Sequence, residues 1–194
     1  MRLTPAVLEG TLVRLEPLDA RHFEAAARAA LSDPAIWAHI PYQVRDRSDV
    51  ERLFGIAAKL HATETGIAFA THAGPDRRLV GGTTIRLTDP DTPTVEIGST
   101  WIVPEWQRTR VNTEAKYLQL AYCFERQGIT RVEFKTDALN ARSRAAIRRI
   151  GATEEGTLRS HMRRHNGTLR DSVYFSIIAS EWPAVKAELE SKLA

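Results

Sequence analysis

The 194-residue chain has one cysteine and two methionines, and its net charge is only +3. A lone Cys123 excludes an internal disulfide framework and is far too few for a cysteine-built zinc site. No apolar run approaches the roughly 20 residues that span a bilayer, and the opening MRLTPAVLEG carries none of signal-peptide length. These absences set the expectation of a cytoplasmic protein with no membrane partner. There is no internal repeat, low-complexity stretch or linker, so a single domain over residues 1–194 is expected. The small positive charge with a pI near 9.2 tolerates an acidic partner without demanding one, so nucleic acid is not obligatory.

What the chain does contain is ordinary for a globular core: 43% hydrophobic and 26% charged residues. Alternation predicts strands over Thr11–Glu16, Thr65–Ala73, Leu79–Leu87, Thr94–Val103, Thr130–Thr136, Thr157–Arg163 and Arg170–Ala179. Helical spacing predicts helices over Ala20–Leu31 behind an Asp19 cap, from a Ser48/Glu51 capping box to His61, over Thr113–Gln127 and over Ser143–Ile150, with a last one behind Ser180. Gly74-Pro75-Asp76 and Asn166-Gly167 read as hairpin turns, and Asp89–Pro93 as a loop. Early hairpins with a later β-α-β crossover give an α/β fold: a mixed, mostly antiparallel sheet flanked by helices, with one central parallel pair.

The stretch 94–127 organises the functional reading. A strand ends at Pro104, a short basic loop follows, and a helix begins near Thr113. Unpaired amides at a helix start beside cationic side chains suit a phosphate. Alternation on the strand sets Glu96 with Gly98, Thr100 and Ile102 on one face, and Val95, Ile97, Ser99 and Trp101 on the other. Glu96 is either a proton acceptor in a cleft or a salt-bridged strand glutamate. Asn140 and Ser143 occupy turn and helix-start positions that such residues prefer for local reasons. Cys123 is at core spacing.

The segments GTLVRLEPL, EIGSTWIVPEWQ, NTEAKYLQLAYCFE, DALNARSRAAIRRIGA, EEGTLRSHMRR and RDSVYFSI, in that order, resemble the GNAT acyltransferases. Among these, the chain looks most like the branch that includes ribosomal-protein alanine and serine N-terminal acetyltransferases. The resemblance implies transfer of an acetyl group from acetyl-CoA to a primary amine by direct attack, with no metal. The acceptor would be a protein N-terminus, such as that of a ribosomal protein, or a small amine. It also implies a splayed central strand pair. Pantetheine would lie against Ile102 and Val103, and the pyrophosphate on Arg108, Thr109, Arg110, Val111, Asn112 and Thr113, with Lys116 adding charge. Asn140 would meet the pantetheine amides and Ser143 the thioester sulfur, while Glu96 would serve as base. His161 is a second candidate base, Tyr174 a candidate acid, and Trp37 and Tyr42 candidate walls of the acceptor pocket.

In the family the frame that begins at Gln107 carries small residues where this chain has Arg110 and Asn112. Glycine there would allow positive φ and close phosphate approach, so the loop either takes another path, with Asn112 capping the helix, or holds coenzyme A weakly. A CoA-sensing or ribosome- or RNA-associated binding module is the alternative that this departure raises. Arginines 142, 144, 148, 149, 159, 163, 164 and 170 would then reach a coenzyme phosphate or an acidic surface. A homodimer through the last strands and terminal helix is a further expectation.

Overall fold

A computed structural model describes residues 1–89 and 91–194; Pro90, in the expected loop before the third long strand, lies outside the described residues. The chain runs β1 (Leu8–Glu9), β2 (Val13–Pro17), α1 (Phe23–Ala30), α2 (Arg47–Ala62), β3 (Gly66–Ala73), β4 (Arg78–Asp89) and β5 (Thr94–Ile102). It continues with α3 (Val111–Ala121), β6 (Arg131–Asp137), α4 (Ala141–Arg149), β7 (Thr153–Arg163), β8 (Leu169–Ile178) and α5 (Trp182–Leu193). The described residues form an eight-stranded sheet in the order β1-β2-β3-β4-β5-β6-β8-β7. Every neighbouring pair is antiparallel except β5–β6. The expected mixed, mostly antiparallel sheet is therefore present.

Helices cover both faces. α1 and α2 pack together over β3 and β4; α3 packs with α5 on the other face. Leu15, Phe69, Ile85, Val95, Leu120, Val132 and Phe175 are fully buried between these layers. Each is the apolar member of an alternating strand or the inward face of a helix.

Several boundaries differ from expectation for local reasons. α2 starts behind Asp46, whose carboxylate accepts the Asp49 amide at 3.0 Å and the Ser48 hydroxyl at 2.7 Å, so Ser48 sits inside the helix and does not cap it. α3 begins at Val111, ahead of Thr113, and passes at its end into a π turn over Tyr122–Arg126 before Gly128 (φ +63°) stops it. α4 begins at Ala141 behind an Asn140 cap, ahead of the expected Ser143. α5 begins after Glu181, not at a Ser180 cap.

The largest correction concerns β5. Against β4, Gly82 pairs with Trp101 and Thr84 with Gly98, so Ser99 and Thr100 together oppose Thr83. This is a β-bulge, with Ser99 at φ +48°. The extra residue inverts the expected alternation: Thr100 turns toward α3 while Trp101 returns to the side of Glu96. The two β4 glycines admit it, since a Cβ on Gly81 would stand 2.2 Å from the Trp101 carbonyl oxygen.

Candidate active site

The β5–β6 ladder holds for three pairs, Thr94↔Arg131, Val95↔Val132 and Glu96↔Glu133, and ends there. Beyond Glu96 the two strands part. The wedge opens into a cavity of about 510 Å³. Ile97–Ile102 lie on one wall and Phe134–Thr136 on the other, with Asn140 and Ser143 of α4 across from Gln107, Arg108, Thr109 and Asn112. Because β6 no longer pairs there, backbone groups of β5 face the cavity with their hydrogen-bonding capacity unspent on a neighbouring strand. A second, apolar cavity of about 210 Å³ lies between the sheet and α1–α2, lined by Leu53, Phe54, Phe69 and Trp101 among others. Glu96, Gly98, Ser99 and Tyr42 line both.

Glu96 stands at the apex of the wedge. Its Oε2 accepts from Lys135 Nζ and Arg86 Nη2, each at 3.0 Å. Glu96 thus lines the cleft and is also salt-bridged. Lys135 Nζ lies 5.7 Å from the Tyr174 ring centroid, and the Tyr174 hydroxyl lies 3.4 Å from His161 Nε2. His161 Nδ1 in turn sits 3.1 Å from the Ser172 hydroxyl. Burial, then Lys135 and Arg170, lower the His161 pKa, which favours the neutral ring at pH 7. Glu96, Lys135, Tyr174 and His161 therefore form a continuous polar row, though they come from four strands.

The loop before α3 takes its own path. The positive φ falls on Arg108 (+62°), whereas Arg110 has helical φ and ψ of −70° and −10°. Arg110 Nη1 donates to the Leu193 carbonyl at 2.7 Å, at the end of α5, and does not line the wedge. Asn112 lies inside the first turn and does not cap it. Its Oδ1 is buried without a partner, and Asn112 lines the cavity. The helix start is held by Thr109, whose Oγ1 accepts the Val111 amide at 3.3 Å and donates to the Trp106 carbonyl at 2.8 Å. The filled small positions are therefore first-turn residues in ordinary geometry. Thr113 is buried within that turn, and Ile102 and Val103 are buried where β5 ends.

Lys116 sits deeper than a phosphate ligand at the loop mouth. Its Nζ donates to Thr83 Oγ1 (2.9 Å), Thr100 Oγ1 (2.8 Å) and Gln119 Oε1 (2.8 Å), all neutral, beneath the β5 bulge. Burial lowers its pKa to about 7. Burial likewise pushes the Cys123 thiol up, as befits a core residue. Across the wedge mouth, Gln107 links two elements: its Nε2 donates to the Ile102 carbonyl (2.8 Å) and its Oε1 accepts from Arg142 Nη1 (2.7 Å). Asn140 Oδ1 accepts the Ser143 amide at 3.0 Å, so the cap residue and its partner face the cavity together.

Other candidates separate. Trp37 is fully buried, donates Nε1 to the Ala30 carbonyl and packs on Trp101 at 5.4 Å, whereas Tyr42 walls both cavities. Most of the arginine set is spent inside the molecule. Arg164 forms two bonds to Asp137, Arg148 pairs with Glu154, and Arg170 is buried against Ser172. Sequence reasoning missed Arg86, Lys135 and Gln107, because cross-strand and cross-wedge contacts leave no local spacing.

A splayed parallel pair in an antiparallel sheet, opening beside a helix start, defines an acyltransferase fold with a coenzyme-sized wedge. Residues 13–153 match the acetyltransferase (GNAT) domain family. A Bacillus subtilis (strain 168) protein named "Putative ribosomal N-acetyltransferase YdaF" is 32% identical over 129 residues, 66% of each chain. A GCN5-related N-acetyltransferase from Brucella melitensis superposes with a TM-score of 0.90 at 29% identity, over 100% of this chain and 88% of that one. Mycobacterium smegmatis RimJ, solved in complex with CoA-disulfide, shares the fold at a TM-score of 0.81 and 24% identity, over 97% and 92% of the two chains. The chain belongs to the GNAT acetyltransferases and is an acetyl-CoA-dependent acetyltransferase. Among the described residues, no helix is long and apolar enough to cross a membrane.

Proposed function

We propose that this enzyme, a single acetyltransferase domain over residues 1–194, acetylates a primary amine by direct attack. The acceptor we infer is a protein N-terminus, such as that of a ribosomal protein. The observation that carries the reading is Glu96, which lines both the wedge and the acceptor-side cavity at the point where β5 and β6 part. Names of relatives support the ribosomal acceptor.

The wedge fits coenzyme A on two counts. The buried, unpartnered Asn112 Oδ1 offers an acceptor for an amide N–H, and the first α3 amides offer donors to phosphate. Ile102, Val103 and Asn140 would flank the pantetheine arm, and Arg108, Thr109 and the first amides of α3 would hold the pyrophosphate, with the Arg110 side chain turned away to α5. Acetyl-CoA, when bound, supplies the thioester carbonyl that the amine attacks and the thiol that leaves.

The protein's part is positioning and proton handling. Glu96 receives the proton that the attacking nitrogen sheds, directly or through one water, while Lys135 and Arg86 fix its carboxylate. An α-amino group has a pKa of about 8, against about 10.4 for a lysine side chain, so a protein N-terminus asks less of this clamped carboxylate. Unpaired β5 amides beyond Glu96 are available to a carbonyl oxygen as charge develops on it. The Ser143 hydroxyl serves the departing sulfur.

Initial rates over a grid of acetyl-CoA and N-terminal peptide concentrations test the proposal. Direct attack gives intersecting reciprocal plots and no acetylated enzyme. Parallel plots, or an acetyl group found on the protein without acceptor, would overturn it.

A further inference from the structure

Three side chains that acetyl transfer leaves unused converge at the β2–β3 end of the sheet. Glu16 comes from β2, His72 from β3, and His22 from the turn that precedes α1. His22 is 5% exposed and the Glu16 side chain 17%. Their metal-capable atoms all lie within 4.8 Å of one another, with His22 Nε2 3.3 Å from Glu16 Oε2. Strand β4 lies between the cluster's strands and β5, so the cluster is not part of the wedge.

The orienting bonds decide which nitrogens face inward. His72 Nδ1 lies 2.9 Å from the Arg77 carbonyl oxygen, which can only accept, so Nδ1 carries a proton. In the neutral ring this leaves a lone pair on Nε2, and that atom is buried with no hydrogen-bond partner. His22 Nδ1 lies 3.1 Å from Asp19 Oδ1 and 3.2 Å from the Asp19 amide nitrogen. The Asp19 amide donates to Nδ1, so the proton of the neutral ring sits on Nε2 and is donated to Glu16 Oε2. A cation bound at Nε2 would move that proton to Nδ1, where Asp19 Oδ1 can accept it. Histidines that bind metals have their second nitrogen tied to a carboxylate or carbonyl in this way.

The surrounding charge permits a cation. Glu9, Glu16 and Asp19 face Arg14, Arg21 and Arg77, three against three. Arg21, 63% exposed, holds Glu16 Oε2 at 2.9 Å and is the group that an entering ion would displace.

We propose that Glu16, His22 and His72 form a divalent-cation site of zinc type that pins β2, β3 and the start of α1 together. Two imidazole nitrogens and one carboxylate oxygen suit Zn²⁺, with water completing the tetrahedron. Ligand atoms about 2.0–2.1 Å from zinc stand roughly 3.4 Å apart, so side-chain shifts of about an ångström close the site. Positions 16, 22 and 72 form no spaced motif, which hid the cluster from the sequence.

The test uses the untagged full chain, freed of metal by chelation and titrated with Zn²⁺ by calorimetry. The expected result is one equivalent bound at micromolar affinity or tighter, with a rise in Tm. Binding should be lost in His72→Ala and His22→Ala, and kept in His161→Ala and Cys123→Ser. Absence of stoichiometric binding in the parent chain, or binding unchanged in both site variants, overturns the proposal. Should a variant fail to fold, Co²⁺ added to the parent chain decides. Strong visible absorption of a four-coordinate site supports it, and only the pale spectrum of aqueous cobalt contradicts it.

Discussion

The two halves of the sheet solve different problems. From β1 to β4, antiparallel partners are matched along most of their length, and the half is tied down from outside by Glu114 of α3. That carboxylate is buried and accepts the amides of Thr11, Leu12 and Val13 at 3.0, 2.7 and 2.6 Å. From β5 to β6, pairing stops after three residues, and the gap is held open by side chains: Gln107 and Arg142 across the mouth, Lys116 under the bulge. The first half derives its order from backbone pairing. The second gives up backbone pairing to expose β5, and side chains restore the rigidity.

Breaking the closed half should have the largest effect. Glu114→Ala strands three backbone donors, two of them part-buried and one buried, and should cost about 3–5 kcal/mol of stability, read by urea denaturation. A Gly10→Ala change tests the same contact from the other side, because its Cβ would stand 2.7 Å from the Glu114 carboxyl carbon.

In the open half the loss should appear in rate and not in folding. Glu96→Gln keeps the side-chain size and should lower kcat by about 10²–10³-fold, with Tm and acetyl-CoA binding little changed. Full turnover in that variant would remove Glu96 as the proton acceptor.

Lys116 sharpens the contrast, since it is a buried cation with only neutral partners. Its folded pKa of about 7 lies below the ordinary 10.5. Between these values the unfolded chain holds a proton that the folded one lacks, so this group makes stability rise with pH across that window. The penalty is fully present below pH 7. Lys116→Met should therefore raise stability by about 2 kcal/mol at pH 7, and the gain in Tm over the parent should shrink toward pH 10. The smallest effect belongs to Gln107→Ala. Loss of the bridge to Ile102 and Arg142 should raise KM for acetyl-CoA about threefold, under 1 kcal/mol, with kcat nearly kept.

The closed half was legible in the sequence because its signals are local. Alternation in Thr65–Ala73 and Leu79–Leu87, with the turn between, led directly to β3 and β4. The open half was legible only in outline. Alternation along β5 contains no visible interruption, yet the bulge at Ser99–Thr100 inverts it, and the cause lies on another strand, in the room that Gly81 and Gly82 leave for Trp101. Helix caps were misplaced where two polar residues compete, as with Asp46 and Ser48. The resemblance sets Lys116 at the pyrophosphate, and Glu114 carries no expectation; only the tertiary fold shows that both are buried. Arg110 raised a question about glycine that the structure answers by moving the positive φ to Arg108 and turning Arg110 to α5.

Amide hydrogen exchange with and without acetyl-CoA tests the central claim most directly, because it reads both halves at once. If the wedge houses the coenzyme, added protection falls on residues 97–102, 108–113 and 134–137, and β2 and β3 stay unchanged. Protection that instead spreads along β2–β3, or none at all at saturating acetyl-CoA, would contradict the account.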